Sequence, residues 1–154
     1  MNKFLLTVAA VAMASAAQAQ EETAMTMEEI PPTVMEAANA ANTMGGTFES
    51  VAMDDGVYEL AGTLESGMGF EVDVAEDGSV EEVEEQIEAS ELPEAVAAAL
   101  EENLPGFAPD YIERSTRPEG VIVYEFEGTH DGAEIDAEIA EDGTGFESNA
   151  DAAG

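Results

Sequence analysis

The chain has 154 residues and no cysteine, which excludes disulfide bonds and thiol catalysis. It carries 36 acidic residues against three lysines and arginines, a formal net charge of −33, and such a field repels nucleic acid and anionic membrane surfaces. The sequence is nevertheless 45% hydrophobic, with its apolar residues in regular patterns, which indicates a folded protein rather than an acidic disordered chain.

The first residues have the features of a secretory signal peptide. Lys3 precedes an apolar run, Phe4 to Ala14, that is too short to span a bilayer, and an Ala-Gln-Ala cleavage site follows at residues 17–19. We therefore expect residues 1–19 to be removed before Gln20 and the mature protein to reach the periplasm or the medium. No later stretch has the length of apolar sequence that a membrane-spanning helix needs.

A polar leader at residues 20–29, which we expect to be flexible, precedes a helix and several strands. Pro31 and Pro32 suit a first helical turn, the apolar residues after them share one helix face, and Gly45-Gly46 predicts the end of the helix. Residues 79–90 combine helical spacing with a position after a hairpin turn, and we favour a strand with a bulge there. The other predicted strands are Phe48–Met53, Tyr58–Leu64 and Phe70–Val74.

The second half repeats the plan of the first. The repeated motifs are VYELAGT and VYEFEGT at residues 57–63 and 123–129, AEDG at 75–78 and 140–143, and an apolar-Pro pair at 30–31 and 92–93. The predicted elements are a helix from Pro93 to Leu104 and strands at Tyr111–Ser115, Ile122–Gly128, Ala133–Ile139 and 144–148. This duplication predicts two tandem units, residues 30–90 and 91–148, and a frayed tail at 149–154.

The predicted fold class is α+β, with two tandem repeats that each pack one helix on an antiparallel three- to four-stranded meander. Side by side, the two units make an eight-stranded sheet with both helices on its apolar face and acidic side chains on the other face. The aromatic residues of the strands alternate with acids, so we expect them in the core. They are Tyr58, Phe70, Tyr124 and Phe126.

The order of these motifs resembles the PepSY and PepSY-like domains. The motifs of the second copy are Leu92-Pro93, Pro105-Gly106, Tyr124-Glu125 and Glu141-Asp142-Gly143, and those of the first copy are Ile30-Pro31, Tyr58-Glu59 and Glu76-Asp77-Gly78, with Gly45-Gly46 in place of Pro-Gly. The resemblance covers residues 30–88 and 91–148. It implies a secreted or periplasmic module like half of the beta-lactamase-inhibitor-type fold. It also implies an inhibitory or chaperone role, as inferred for relatives in protease propeptides, and no catalytic residues.

The residues themselves predict no enzyme. His130, the single histidine, directly precedes an Asp-Gly turn, and we interpret it as incidental because a triad needs a nucleophile and an orienting acid at fixed geometry. The motifs of serine hydrolases, zinc proteases and phosphate-binding loops are absent from the sequence. Paired carboxylates are too numerous to indicate one catalytic pair.

Calcium is the cofactor that the composition permits, because this ion takes six to eight oxygen ligands. The candidate ligands are Asp77 and Asp142 in the two AEDG turns and Asp131, Glu134 and Asp136 near the last predicted hairpin. The alternative interpretation is ordinary hairpin turns and non-specific condensation of cations.

Arg114 and Arg117 are the two bases expected in the mature chain. We expect them to form local ion pairs, and the alternative is that the connection from Arg114 to Gly120 contacts a partner. The leading hypothesis is an exported, monomeric, non-enzymatic binding or inhibitory module for a protein or peptide, which the charge predicts to be basic. The alternatives are an acidic cation-binding protein and a structural protein with a salt-adapted surface.

Overall fold

A computed structural model describes residues 25–152. The predicted signal peptide, residues 1–19, and its cleavage site lie outside the described residues. The described chain forms one antiparallel sheet of eight strands and two α-helices, and the strands follow one another across the sheet in chain order. The elements are α1 (Pro32–Ala41), β1 (Thr47–Asp54), β2 (Val57–Thr63), β3 (Gly69–Ala75), β4 (Val80–Gln86), α2 (Glu94–Asn103), β5 (Tyr111–Arg117), β6 (Val121–His130), β7 (Ala133–Ala140) and β8 (Glu147–Ala152).

The predicted α+β class and the antiparallel meander are confirmed. Each half of the chain contributes one helix followed by four strands, and β4 pairs with β5 to join the halves into a single sheet. Alternating side chains give the sheet two different faces, because successive residues of a strand point to opposite sides. The strand register places the core residues of both halves on the same face, so α1 and α2 cover the same side.

The core consists of two hydrophobic clusters, one under each helix. Val34 and Ala38 anchor α1, and Val96 and Leu100 anchor α2, at the four-residue spacing that a helix needs to present one face. The four aromatic side chains predicted for the core are all buried there, as the prediction required. They are Tyr58, Phe70, Tyr124 and Phe126.

The ambiguous segment after residue 79 is a strand with a bulge, as predicted. Asp73 lies opposite Glu82 and Val74 lies opposite Val80, so one extra residue, Glu81, stands in β4. In a regular strand Val80 and Val83 would point to opposite faces, and the inserted residue turns both toward the core. The helical spacing of these valines is therefore a consequence of the bulge.

The repeated AEDG turn packs against the start of a helix in both halves. A Cβ atom built on Gly143 would lie 2.7 Å from the carbonyl oxygen of Ala95, and one built on Gly78 would lie 3.6 Å from that of Thr33. Both glycines have positive φ, which only glycine adopts without strain. The motif thus fixes a hairpin turn close to the first turn of each helix.

The structure differs from the sequence expectation at three segment ends. Helix α1 ends at Ala41, before the predicted Gly45-Gly46, because Asn42 leaves the helical conformation while its N–H still bonds to the helix. The last strand runs to Ala152, through residues expected in a frayed tail, because it pairs with β7. In the leader, Met25 forms a bridge with Val51.

Candidate functional site

The sheet face opposite the helices carries the candidate site. Acidic residues of β2 to β7 share this face, and we give the name carboxylate face to eight of them: Glu59, Glu71, Asp73, Glu82, Glu84, Glu113, Glu125 and Glu138. Cross-strand register brings several directly opposite one another. The opposite pairs are Glu59–Asp73, Asp73–Glu82, Glu71–Glu84, Glu113–Glu125 and Glu125–Glu138. Like charges in such positions destabilise a sheet unless something compensates them.

Several of these side chains are buried although neither described helix covers this face. Glu59, Glu71 and Glu113 are 7%, 4% and 9% exposed, and Ser115, two residues after Glu113 in β5, is fully buried. Acidic residues are almost never buried to this extent unless they are paired or hold a proton. The carboxylates therefore shield one another from water, which makes each charge costly.

Arg117 compensates one end of the carboxylate face. Its guanidinium donates two parallel hydrogen bonds to Glu138, at 2.9 and 2.6 Å, the fork geometry of strong arginine–carboxylate pairs. It also donates to Glu82 at 2.6 Å and to Glu125 at 3.1 Å. Ser115 donates its hydroxyl to the same Glu82 oxygen. One arginine thus binds carboxylates from three strands.

Glu84 lies at the centre of the remaining carboxylates. One oxygen from each of Asp73, Glu82 and Glu84 lies within 4.8 Å of the other two, and the same holds for Glu84, Glu113 and Glu125. Tyr111 donates its hydroxyl to Glu113 at 2.8 Å. Within residues 25–152, no arginine, lysine or histidine forms a salt bridge with Asp73, Glu84 or Glu113.

The burial and crowding of these groups raise their pKa values. Burial is the main cause for Asp73, Glu84 and Glu113, and the neighbouring carboxylates add to the increase in pKa. Burial and Glu82 raise the pKa of Glu125 to about 8 although Arg117 opposes the shift. The pKa of the Tyr111 hydroxyl is also raised, mainly by burial. The face therefore holds protons near neutral pH.

The structure separates the five residues predicted as calcium ligands. Asp77 and Asp142 accept hydrogen bonds from the backbone N–H groups of Ser79 and Thr144, at 2.9 and 3.0 Å, in their two hairpin turns. The hydroxyls of Ser79 and Thr144 donate to the same carboxyls, and these hydroxyl bonds first, then the backbone bonds, lower the pKa of both Asp77 and Asp142. The other three lie on the last hairpin, where Asp131 stands in the turn and Glu134 and Asp136 in β7. None of the five belongs to the two close sets of carboxylates among the described residues.

The two arginines lie on opposite faces of the sheet. Arg117 faces the carboxylates, whereas Arg114 faces the helix side and lies 3.7 Å from Glu85. Both make the local ion pairs that the sequence led us to expect. His130 packs its ring edge against Phe107, with 5.7 Å between the ring centroids.

Sequence reasoning identified an acidic sheet face but not the Glu84-centred site. Acidic residues two positions apart, such as Glu82 and Glu84 or Glu71 and Asp73, were the available signal, because they share a face of a strand. The missing information was the pairing of β4 with β5, which joins residues separated by a helix and a long loop.

Comparisons with known proteins give a family and a fold. The sequence profile described as "Peptidase propeptide and YPEB domain" (PepSY_2) matches residues 3–85, just over half of the chain. No curated protein sequence matches. Within the described residues, no helix is long and apolar enough to cross a bilayer.

Three solved structures from Bacteroides have the same fold. One is a protein from Bacteroides eggerthii described as periplasmic, with a TM-score of 0.68 and 13% identity over 78% of this chain and 88% of that one. A DUF2874 family protein from Bacteroides ovatus has a TM-score of 0.65 and 14% identity, and the match covers 78% of this chain and 86% of that one. A BLIP-like protein from Bacteroides fragilis has a TM-score of 0.64 and 17% identity, and the match covers 79% of this chain and 86% of that one.

Proposed function

Because this chain belongs to the peptidase propeptide and YPEB domain family, we propose that it is an exported, non-enzymatic module that binds a basic protein or peptide on its carboxylate face. The binding of Arg117 by Glu82, Glu125 and Glu138 carries the proposal, because it supplies an internal example of a guanidinium held on this surface. Asp73, Glu84 and Glu113 lie beside these acids, and none of the three forms a salt bridge with an arginine among the described residues.

Two features support binding rather than catalysis. The carboxylates alternate along extended strands on one open face, an arrangement that suits contact with another surface. The fold matches a BLIP-like protein and a protein described as periplasmic, which agrees with an exported binding or inhibitory role. The family description also refers to peptidase propeptides, so we include a peptidase among the partners proposed.

We further propose that the chain is a monomer made of two tandem PepSY-like units, residues 30–90 and 91–148. The recurrence of one helix and four strands, and of the AEDG turn against each helix start, supports the duplication. The short helical connection Pro118–Gly120 and Val121, which is 50% exposed, border the carboxylate face. We include this connection, with Arg117 directly before it, in the proposed surface, whereas Arg114 faces the helix side and lies outside this surface.

A crosslinking pull-down from envelope extract of the source organism tests the proposal. We expect a dominant basic partner at low salt and a weaker yield at high salt, because screening slows the association of opposite charges. Glu84→Gln should reduce capture, whereas Glu102→Gln, an exposed acid on α2, should not. Equal capture by both variants, or no salt dependence, would contradict binding at the carboxylate face. Replacing the three-residue Pro118–Gly120 connection with the two-residue turn Asp55-Gly56 that joins β1 to β2 tests that part separately.

Cation binding is the second candidate function, and the two close carboxylate sets favour it. Calcium prefers several carboxylate oxygens, and a bound ion would replace the shared protons. A thermal melt in CaCl₂ against NaCl of equal ionic strength tests this, because only a specific site stabilises by mass action. Glu84→Gln should remove the calcium-specific increase in Tm, and Asp77→Asn, Asp142→Asn or Asp131→Asn tests the turn residues in the same way. Equal melting temperatures in the two salts exclude it.

A further inference from the structure

The two halves of the sheet meet at a polar seam between β4 and β5. This is the shortest of the seven strand pairings, with Val83–Gln86 opposite Glu113–Thr116. Three of its four opposite pairs are polar on both strands. They are Glu84 with Ser115, Glu85 with Arg114, and Gln86 with Glu113. Backbone hydrogen bonds and polar side chains therefore hold the seam, and elements with few buried apolar contacts open at the lowest free energy.

The hydrophobic core does not cross the seam. The buried residues of the cluster under α1 and those of the cluster under α2 form separate groups. Val83 packs against the first group and Ile87 against the second, each as a partly buried side chain. On the helix side of the seam, Arg114 forms an ion pair with Glu85 across the strands at 3.7 Å. Opening the seam would therefore leave both cores in place.

Carboxyl groups occupy the other side of the same seam. Glu84 on β4 and Glu113 on β5 have oxygens within 4.8 Å of each other and of Glu125. Two ionised carboxylates at this distance in a part-buried site repel each other strongly, whereas a shared proton removes the repulsion. The groups that face them are Glu59 from β2, Glu71 and Asp73 from β3, Glu82 from β4, Tyr111 and Arg117 from β5, Glu125 and Glu127 from β6, and Glu138 from β7. Arg117 is already bonded to three of these acids.

We propose that the β4–β5 seam is a pH-sensitive latch between the two halves, closed while at least one of Glu84 and Glu113 is protonated and loosened when both ionise. The proton leaves to solvent as the pH rises, and each strand of the seam is then left with a carboxylate that repels the other. Because each half keeps its own helix and core, loosening affects the junction and leaves the hairpins within each half intact. This inference does not depend on the proposed partner.

Hydrogen exchange of the purified protein across the pH range tests the latch, without any partner present. After correction for intrinsic exchange rates, protection of the seam amides should fall between about pH 7 and about pH 11, the range over which Glu113 and then Glu84 lose their protons, by up to about tenfold per pH unit for each proton released. Protection of the β1–β2 amides should stay nearly constant, because no two acids lie opposite each other in that pairing. Equal loss of protection in all pairings would indicate general charge repulsion and overturn the latch, as would a seam whose protection does not change.

Isosteric variants separate the latch from general effects. Glu84→Gln keeps the shape of a protonated carboxyl and should flatten the pH dependence of the seam, so that its protection at about pH 11 matches that of the parent protein at about pH 6. Glu102→Gln removes one exposed charge and should leave the profile unchanged. If Glu84→Gln fails to fold, Glu113→Gln makes the same test. Identical profiles for the seam and control variants would overturn the proposal.

Discussion

Arg117 illustrates how a single residue compensates the negative charge at one end of the carboxylate face. The guanidinium donates two hydrogen bonds to Glu138 and one each to Glu82 and Glu125. One positive charge therefore compensates acids on three strands. The side chain of Arg117 is 31% exposed, and its partners are between 11% and 19% exposed, which keeps solvent screening low. Arg114 differs because its ion-pair partner among the described residues, Glu85, lies at 3.7 Å and both side chains are more exposed.

The contrast between the arginines predicts unequal costs of removal. Arg117→Gln should lower the free energy of unfolding by about 2 kcal/mol at neutral pH, because it leaves partly buried carboxylates without their charged donor. Arg114→Gln should cost less than about 1 kcal/mol, as expected for an exposed ion pair. Urea unfolding of both variants measures the difference. Equal costs would contradict the central role of Arg117.

At the scale of elements, each AEDG turn depends on a glycine with positive φ. Gly143 and Gly78 share that conformation but differ in the space beside them. A Cβ on Gly143 would meet Ala95 backbone at 2.7 Å, closer than real Cβ contacts, whereas one on Gly78 would reach an ordinary distance of 3.6 Å from Thr33. The second half therefore packs its turn more tightly against its helix than the first half does.

This difference predicts the outcome of a matched pair of alanine substitutions. Gly143→Ala and Gly78→Ala should both lose about 1–2 kcal/mol because alanine is strained in the left-handed region. Gly143→Ala should lose about 1–3 kcal/mol more, since the turn or helix α2 has to move to relieve the contact. Urea denaturation at one pH measures both. Similar losses for the two variants would show that the turn in the second half moves at little cost.

At the scale of the whole molecule, the acidic groups act on stability in opposite directions. The raised pKa of Glu125, about 8, means that the folded state is penalised once this group ionises. That penalty is complete above about pH 8, and it disappears as the pH falls below the unfolded pKa of about 4. The lowered pKa values of Asp77 and Asp142 have the opposite sign, and their contribution is lost in strong acid.

We therefore expect maximal stability in mild acid, at about pH 5, and a steady loss toward about pH 9. The midpoint of urea unfolding, followed by circular dichroism across this range, measures the profile. Added NaCl should reduce the loss at high pH and have less effect at about pH 5, because salt screens only ionised groups. A midpoint that rises from about pH 5 to about pH 9 would contradict the buried-carboxylate account.

The sequence alone determined the element types, the two-faced sheet and the core. Period-two alternation fixes which side chains of a strand share a face, so Tyr58, Phe70, Tyr124 and Phe126 could be assigned to the core from spacing alone. The bulge in β4 was also accessible, because a hairpin turn before residue 79 required a strand whose valines were out of step. Local periodicity and turn chemistry carry this information within a few residues.

Only the tertiary structure decided which acids meet. Glu84 and Glu113 become neighbours through the β4–β5 pairing, whose register depends on how α2 and its flanking loops return the chain. Their oxygens, with that of Glu125, come within 4.8 Å of one another, and burial then changes which of them carry a proton. Neither distance nor burial follows from an acidic composition that is nearly uniform along the chain. The sequence therefore indicated an acidic surface, and the three-dimensional fold selected one part of it as a site.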